Sequence, residues 1–85
     1  MPVAWVYLLR CADDSLYCGW TNDLDRRLAA HASGRGARYT ASRRPVELAL
    51  ARRMPDAGAA RREEARIKRL TRAQKLVLVR ASERR

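Results

Sequence analysis

The sequence predicts a small α+β fold with elements in the order β-β-α-β-α-α. Three observations carry this expectation. Two short runs of β-favouring residues, 5–10 and 16–20, flank a turn signal. An alternating apolar run follows at 46–52. The remaining stretches have helical spacing or helical propensity and close on a segment rich in Arg, Ala and Leu.

Residues 5–10 read Trp-Val-Tyr-Leu-Leu-Arg, which suits a strand. Asp13, Asp14 and Ser15 favour a turn, and residues 16–20 return as a second strand, completing a hairpin. Thr21 or Asn22 is placed to cap a helix beginning near Asp23. Leu24 and Leu28, one turn apart, give that helix its core face. It should stop at Ser33-Gly34, since Gly suits the left-handed position after a helix. Residues 33–44 read as a basic, glycine-containing loop closed by Pro45. In the third strand Val46, Leu48 and Leu50 alternate with Glu47 and Ala49. Asp56 is placed to cap a second helix, with residues 59–70 strongly helical. Thr71 and Gln74 have capping-box spacing and open a third helix to about Arg80. Residues 81–85 are expected to fray.

With 85 residues the chain is expected to be one domain, 1–85, with its core over about 5–79. Lys and Arg total 19 against 9 Asp and Glu, a net charge of +10. So strong a field on so small a body attracts polyanions, and nucleic acid is the leading partner class. All the basic residues but Lys68 and Lys75 are Arg, whose planar fork of donors matches phosphate. Coding bias is an equal explanation of the Arg excess but not of the charge imbalance. No stretch approaches the ~20 apolar residues of a membrane span, and residues 1–10 do not read as a signal peptide. Cys11 and Cys18 have no metal spacing, so a reduced, cytoplasmic setting is expected.

Four groups of residues have the types that chemistry needs. Tyr7 and Tyr17, on the two hairpin strands, can share a face and poise a water or bind a phosphate oxygen. They can equally be core aromatics, and residue physics alone favours packing. Arg27 and His31, spaced i, i+4, share a helix face beside the leucine stripe. There the Arg27 stem can pack while its head reaches out; the alternative is a solvated Arg beside a structural His. Glu64 falls on one stripe with Ala60 and Ile67, where a carboxylate needs a cation, either an Arg or a metal such as magnesium. Glu63 reads as an ordinary surface residue paired with Arg66 or Arg69. In the loop, Gly34 and Gly36 allow close approach of backbone to phosphate. Arg35, Arg38, Arg43 and Arg44 supply charge, and Tyr39 offers a ring on which a base can stack.

Trp5-Val6-Tyr7, Tyr17-Cys18-Gly19, Arg27 and Glu64 together resemble the GIY-YIG nuclease domain. Stretches 7–17, 22–28, 31–40, 43–47 and 64–75 are similar to those of short stand-alone bacterial GIY-YIG proteins, so the likeness covers about 5–79. It implies a small three-stranded antiparallel sheet flanked by helices, and cleavage of a phosphodiester bond with one divalent metal, Mg²⁺ or Mn²⁺. Glu64 matches the metal-binding carboxylate and Arg27 the Arg that stabilises charge on the phosphate. Tyr7 and Tyr17 match the signature tyrosines, with Tyr7 expected to help deprotonate water and Tyr17 to support it. His31 stands where some relatives have Tyr and can share the base role, since its ordinary pKa near 6.5 suits that role better than a phenol. Trp5 and Cys18 depart from the signature as packing changes, and the bulk of Trp20 is expected to affect which substrate fits. The implied activity is an endonuclease on DNA, whether branched, flapped or single-stranded. The alternative is a nucleic-acid-binding module that cleaves weakly or only with a protein partner, and RNA is a third target. Oligomeric state is not legible.

Overall fold

A computed structural model, describing residues 3–83 of the chain, pairs the two β-favouring runs into a hairpin. The elements are β1 (Ala4–Arg10), β2 (Leu16–Thr21), α1 (Leu24–Ala32), α2 (Arg38–Ala41), β3 (Glu47–Met54), α3 (Ala57–Lys68) and α4 (Arg72–Glu83). The strands form one antiparallel sheet in the order β2-β1-β3. No helix of the described residues is long and apolar enough to cross a membrane.

The central place of β1 explains its sequence. Val6, Tyr7, Leu8 and Leu9 are all buried, because helices cover both faces of the middle strand. A strand covered on both sides loses its apolar–polar alternation. On one face Val6 and Leu8 lie across from Trp20 and Cys18 of β2. That face packs with Leu50 on Ala60 and Ile67 of α3 and Val79 of α4, forming the main core. Full burial of a side chain such as Leu8 or Ile67 contributes roughly 1.5–3 kcal/mol. Trp20 also packs against this core, on the face away from Tyr7. On the other face stand Tyr7 and Leu9, across from Gly19 and Tyr17.

The turn chemistry accounts for the connections. Asp14 takes a positive φ of 66°, which Asp tolerates better than most residues. Asp13 Oδ1 accepts from both Ser15 N and Ser15 Oγ. Asp56 caps α3 as expected, accepting from Ala59 N at 2.8 Å. Thr71 and Gln74 form the full capping box: Thr71 Oγ1 accepts from Gln74 N, and Gln74 Oε1 from Thr71 N. Gly34 closes α1 with φ +85°.

Several expectations change. The cap of α1 is Asp23 itself, accepting from Arg26 N; Thr21 Oγ1 instead accepts from Asp23 N. Leu24 and Leu28 are only half-buried, and the buried residue of α1 is His31. The loop 33–44 contains a helical turn, α2. Strand β3 runs two residues further than expected, to Met54, and α3 begins at Ala57 and ends at Lys68. Helix α4 continues to Glu83 rather than fraying from Ala81, with Ser82 Oγ donating to Val79 O within it. The rest of that expectation, for residues 84 and 85, lies outside the described residues.

Candidate active site

Strand register assembles the first part of the site. Side chains two apart on a strand share a face, so Tyr17 and Gly19 of β2 stand on the same side as Tyr7 of β1. A Cβ at Gly19 would lie 2.5 Å from the Tyr7 hydroxyl and 2.6 Å from its Cζ. The glycine therefore makes the space in which the Tyr7 ring sits.

Helix α1 supplies the next two groups. Arg27 and His31, one turn apart, both reach Tyr7. The Tyr7 hydroxyl lies 2.7 Å from His31 Nε2 and accepts from Arg27 Nε at 3.4 Å. Arg27 Nη2 donates to Gly36 O at 3.0 Å. The Arg27 head thus turns inward over the phenol instead of reaching out. His31 Nδ1 lies 2.8 Å from Thr40 Oγ1, which donates to Ala37 O at 3.2 Å. Tyr7, His31 and Thr40 are all fully buried. Gly36 packs directly against the imidazole, where a Cβ would collide with the ring. Its bareness serves His31 rather than a phosphate chain.

Burial raises the Tyr7 phenol above its ordinary pKa of 10.0, against the opposing pull of Arg27. Burial lowers His31 below 6.5, and the Arg27 charge adds to that effect. Near neutral pH the pair is therefore a neutral phenol beside a neutral imidazole.

An aromatic column leads from this chain to the surface. Tyr17 meets His31 edge-on at 5.4 Å and stacks on Tyr39 at 5.7 Å with a 27° interplanar angle. The Arg43 guanidinium lies 3.8 Å over the Tyr39 centroid. Arg43 also donates to Asp13 Oδ2 and to Tyr39 O, both at 3.0 Å. Hydrogen bonds from Ser15, then from Arg43, hold the Asp13 carboxyl below its usual range. A base stacking on Tyr39 would have to displace Arg43. Arg44 donates to Ala41 O and Ala32 O, tying the ends of α2 and α1 together. Arg35 and Arg38 are exposed, and among the described residues their side chains have no hydrogen-bond or ion-pair partner.

Glu64 comes to the sheet from its other face, at the edge strand β2. Helix α3 covers the face opposite Tyr7, and Cys18 Sγ donates to Glu64 O at 4.0 Å, beside the middle of the edge strand β2. Burial, reinforced by the Glu64 charge, pushes the Cys18 thiol up to about 11. The Glu64 side chain is 21% exposed, and its carboxylate has one ion-pair contact, Lys68 Nζ at 3.7 Å. No hydrogen bond or ion pair among the described residues joins it to Tyr7, Arg27 or His31. Neighbouring Glu63 is more engaged than the surface residue expected. It pairs with Arg66 and also with Arg52 of β3, and its carboxyl falls to about 2, chiefly through the Arg66 hydrogen bond.

The donor chemistry at Glu64 fits a hard divalent cation. Its side chain is mostly covered, and its carboxylate is weakly paired and free of any hydrogen bond among the described residues. Magnesium needs one or two carboxylates, with waters and phosphate oxygens completing its shell. Zinc would need several protein ligands, and no group of three or more His, Cys, Asp or Glu gathers among the described residues.

Thr40 and the Ala37 carbonyl escape sequence reasoning as site residues. Gly19 carries a signal only as the third residue of Tyr17-Cys18-Gly19, and Gly36 only as a loop glycine.

The family described as the GIY-YIG catalytic domain matches residues 3–76. A UPF0213 protein of Nitratidesulfovibrio vulgaris is 55% identical over 74 residues, covering 87% of this chain and 67% of that protein. Another, of Clostridium perfringens, is 48% identical over 75 residues, covering 88% and 81%. Two solution NMR structures are similar in fold. The UPF0213 protein from Bacillus halodurans has 43% identity and a TM-score of 0.61, covering 93% of this chain and 84% of that one. A protein from E. faecalis has 37% identity and a TM-score of 0.68, covering 100% and 91%.

Proposed function

Because this chain belongs to the GIY-YIG catalytic domain family, a nuclease family, we propose that it is a metal-dependent endonuclease hydrolysing phosphodiester bonds in DNA. The observation that carries this reading is the hydrogen-bonded chain Arg27–Tyr7–His31, beside an aromatic column and a basic loop. We read residues 5–79 as one catalytic domain. The net charge of +10 supports a polyanionic substrate. Cys11 and Cys18, both free and buried, fit a reduced, cytoplasmic setting.

Glu64 would hold Mg²⁺ or Mn²⁺. When bound, such an ion supplies Lewis-acid polarisation of a phosphate oxygen. The rest falls to the chain's own groups. Arg27 lies over the Tyr7 hydroxyl and is held by the Gly36 carbonyl. A phosphate offers Arg27 a charge-assisted, bidentate partner, which draws it off that carbonyl and uncovers the phenol. Arg27 then stabilises the negative charge that grows on the phosphate. Tyr7 accepts the proton of the attacking water as its own proton passes to His31 Nε2. That transfer avoids a free phenolate in a buried site. His31 is sealed from solvent, so it acts through Tyr7 and not on water directly. Tyr17 packs against His31 and supports its orientation.

A second reading, a nucleic-acid-binding module that cleaves only with a partner, draws on the complete burial of Tyr7. One assay separates the two. Single-stranded, duplex, flapped and branched DNA are incubated with Mg²⁺ or Mn²⁺, with EDTA, and with Glu64→Ala. Metal-dependent product that the variant cannot form, at nearly unchanged affinity, is expected. Binding without product on every substrate would favour the module.

A further inference from the structure

We propose that Thr40 is a positioning residue that holds His31 in the tautomer protonated on Nδ1, leaving Nε2 to accept from Tyr7. The inference rests on the proton route through Tyr7 and His31 given above, and adds what fixes its direction.

Thr40 has one hydroxyl hydrogen, and it donates that hydrogen to Ala37 O at 3.2 Å. Toward His31 Nδ1, 2.8 Å away, the hydroxyl can therefore only accept. Nδ1 must carry a hydrogen to make that bond. A neutral imidazole has one such hydrogen, so Nε2 holds a lone pair. The Tyr7 hydroxyl at 2.7 Å then donates to it, and the phenol oxygen accepts in turn from Arg27 Nε. Every hydrogen runs one way, from Arg27 through Tyr7, His31 and Thr40 to a backbone carbonyl. No buried side-chain nitrogen or oxygen among the described residues lacks a partner. The opposite tautomer would set two lone pairs facing each other at Nδ1 and Thr40 Oγ1, or break the bond to Ala37. It would also set Nε2–H against the phenol, which could no longer give up its proton.

Burial gives this arrangement its force. Thr40 and His31 are both inaccessible to solvent, so water cannot replace the hydroxyl as acceptor. Gly36 lies close against the imidazole from the loop, and the ring is oriented by hydrogen bonds at both nitrogens. The single turn of α2 thus places Thr40 under α1. In metal sites the same device, a fixed partner on the far ring nitrogen, sets which nitrogen acts.

His31 is the sole histidine of the chain, so nitrogen-15 NMR of the ring gives one unambiguous pair of signals. The wild-type protein should show a protonated Nδ1 and an unprotonated, hydrogen-bonded Nε2. Thr40→Val, close in shape but without an acceptor, should move the population toward Nε2–H. Thr40→Ser should restore the wild-type pattern. Tyr7→Phe should leave Nδ1 protonated, because the tautomer is set from the Thr40 side. A wild-type spectrum with the proton on Nε2 would overturn the proposal without any variant, as would Thr40→Val with the wild-type pattern or Tyr7→Phe with the proton moved. On the cleavage side Thr40→Val should lower kcat about tenfold or more with KM little changed, as loss of an orienting partner does. The NMR pattern decides the role of Thr40 whether or not the protein cleaves. Failure of the nuclease reading registers only in the cleavage assay.

Discussion

Gly19 faces Tyr7 across the β1–β2 ladder, and the phenol occupies the space that a side chain at 19 would fill. The two residues behave as one unit. The ring can approach His31 and Arg27 because the opposing strand carries nothing at that point.

Gly19→Ala should therefore act on Tyr7. Overpacking of this kind costs about 1–3 kcal/mol, and the displaced ring should lose its contact with His31. Urea unfolding should show the loss of stability, and cleavage should fall more than DNA affinity. Wild-type activity in a folded Gly19→Ala protein would show that Tyr7 need not hold this position.

Tyr7→Phe keeps the ring but removes the hydroxyl that joins Arg27 to His31. Loss of a positioned acid–base group costs about 10²–10⁴-fold in rate. The bare Nε2 of His31 should add a penalty of about 1–3 kcal/mol in stability. Single-turnover cleavage and denaturant melts measure the two effects separately. An unchanged rate would remove Tyr7 from the proton route.

Stability should decline with acid in two windows. His31 has a folded pKa below 6.5, so the unfolded chain takes up its proton first. Its contribution is complete above about 6.5 and erodes as pH falls below that value. Glu63 falls from 4.5 to about 2 in the folded state. Its contribution is complete above 4.5 and is lost as pH drops from 4.5 toward about 2. Urea melts from neutral to acid pH should show both declines, and Glu63→Gln should shrink the lower one alone, leaving the share that the lowered Asp13 carboxyl contributes in the same range. Flat stability from neutral pH down to the carboxylate range would show that folding does not disfavour the charged form of His31.

Nucleic-acid affinity should depend more on Arg35 and Arg38 than on Arg43. The first two have free heads among the described residues, whereas Arg43 is committed to Asp13, Tyr39 and Ser42. Neutralising Arg35 and Arg38 together should reduce the slope of log affinity against log salt by roughly 2 on duplex DNA, about 0.9 per phosphate contact. Arg43→Gln should mainly loosen the loop. The reverse pattern would mean that Arg43 leaves Asp13 when nucleic acid binds.

Much of the fold was legible because it is local. Asp13–Ser15 announced the turn, Asp56 and Thr71–Gln74 the caps, and Gly34 the end of α1. The short-range signals failed where two of them competed. Thr21, Asn22 and Asp23 can all cap a helix, and only backbone geometry selected Asp23. The turn of α2 had no side-chain cap to announce it. The i, i+4 spacing of Arg27 and His31 put them on one face, but not against Tyr7.

By itself the sequence determined the order of the three strands and the three longer helices, the charge that calls for a polyanion, and the motif residues Tyr7, Tyr17, Arg27 and Glu64. These depend on composition and on neighbours within a few positions. Only the tertiary structure decided that His31 is buried between Tyr7 and Thr40, that Gly36 exists for the imidazole, and that Arg43 closes over Tyr39. It also packed helix α3, which carries Glu64, against the face of the sheet opposite Tyr7 at the edge strand β2. Those facts join residues far apart in sequence, 24 positions in the Tyr7–His31 bond and 46 in the Cys18–Glu64 contact. They arise from which surfaces exclude water together, and no local propensity encodes that.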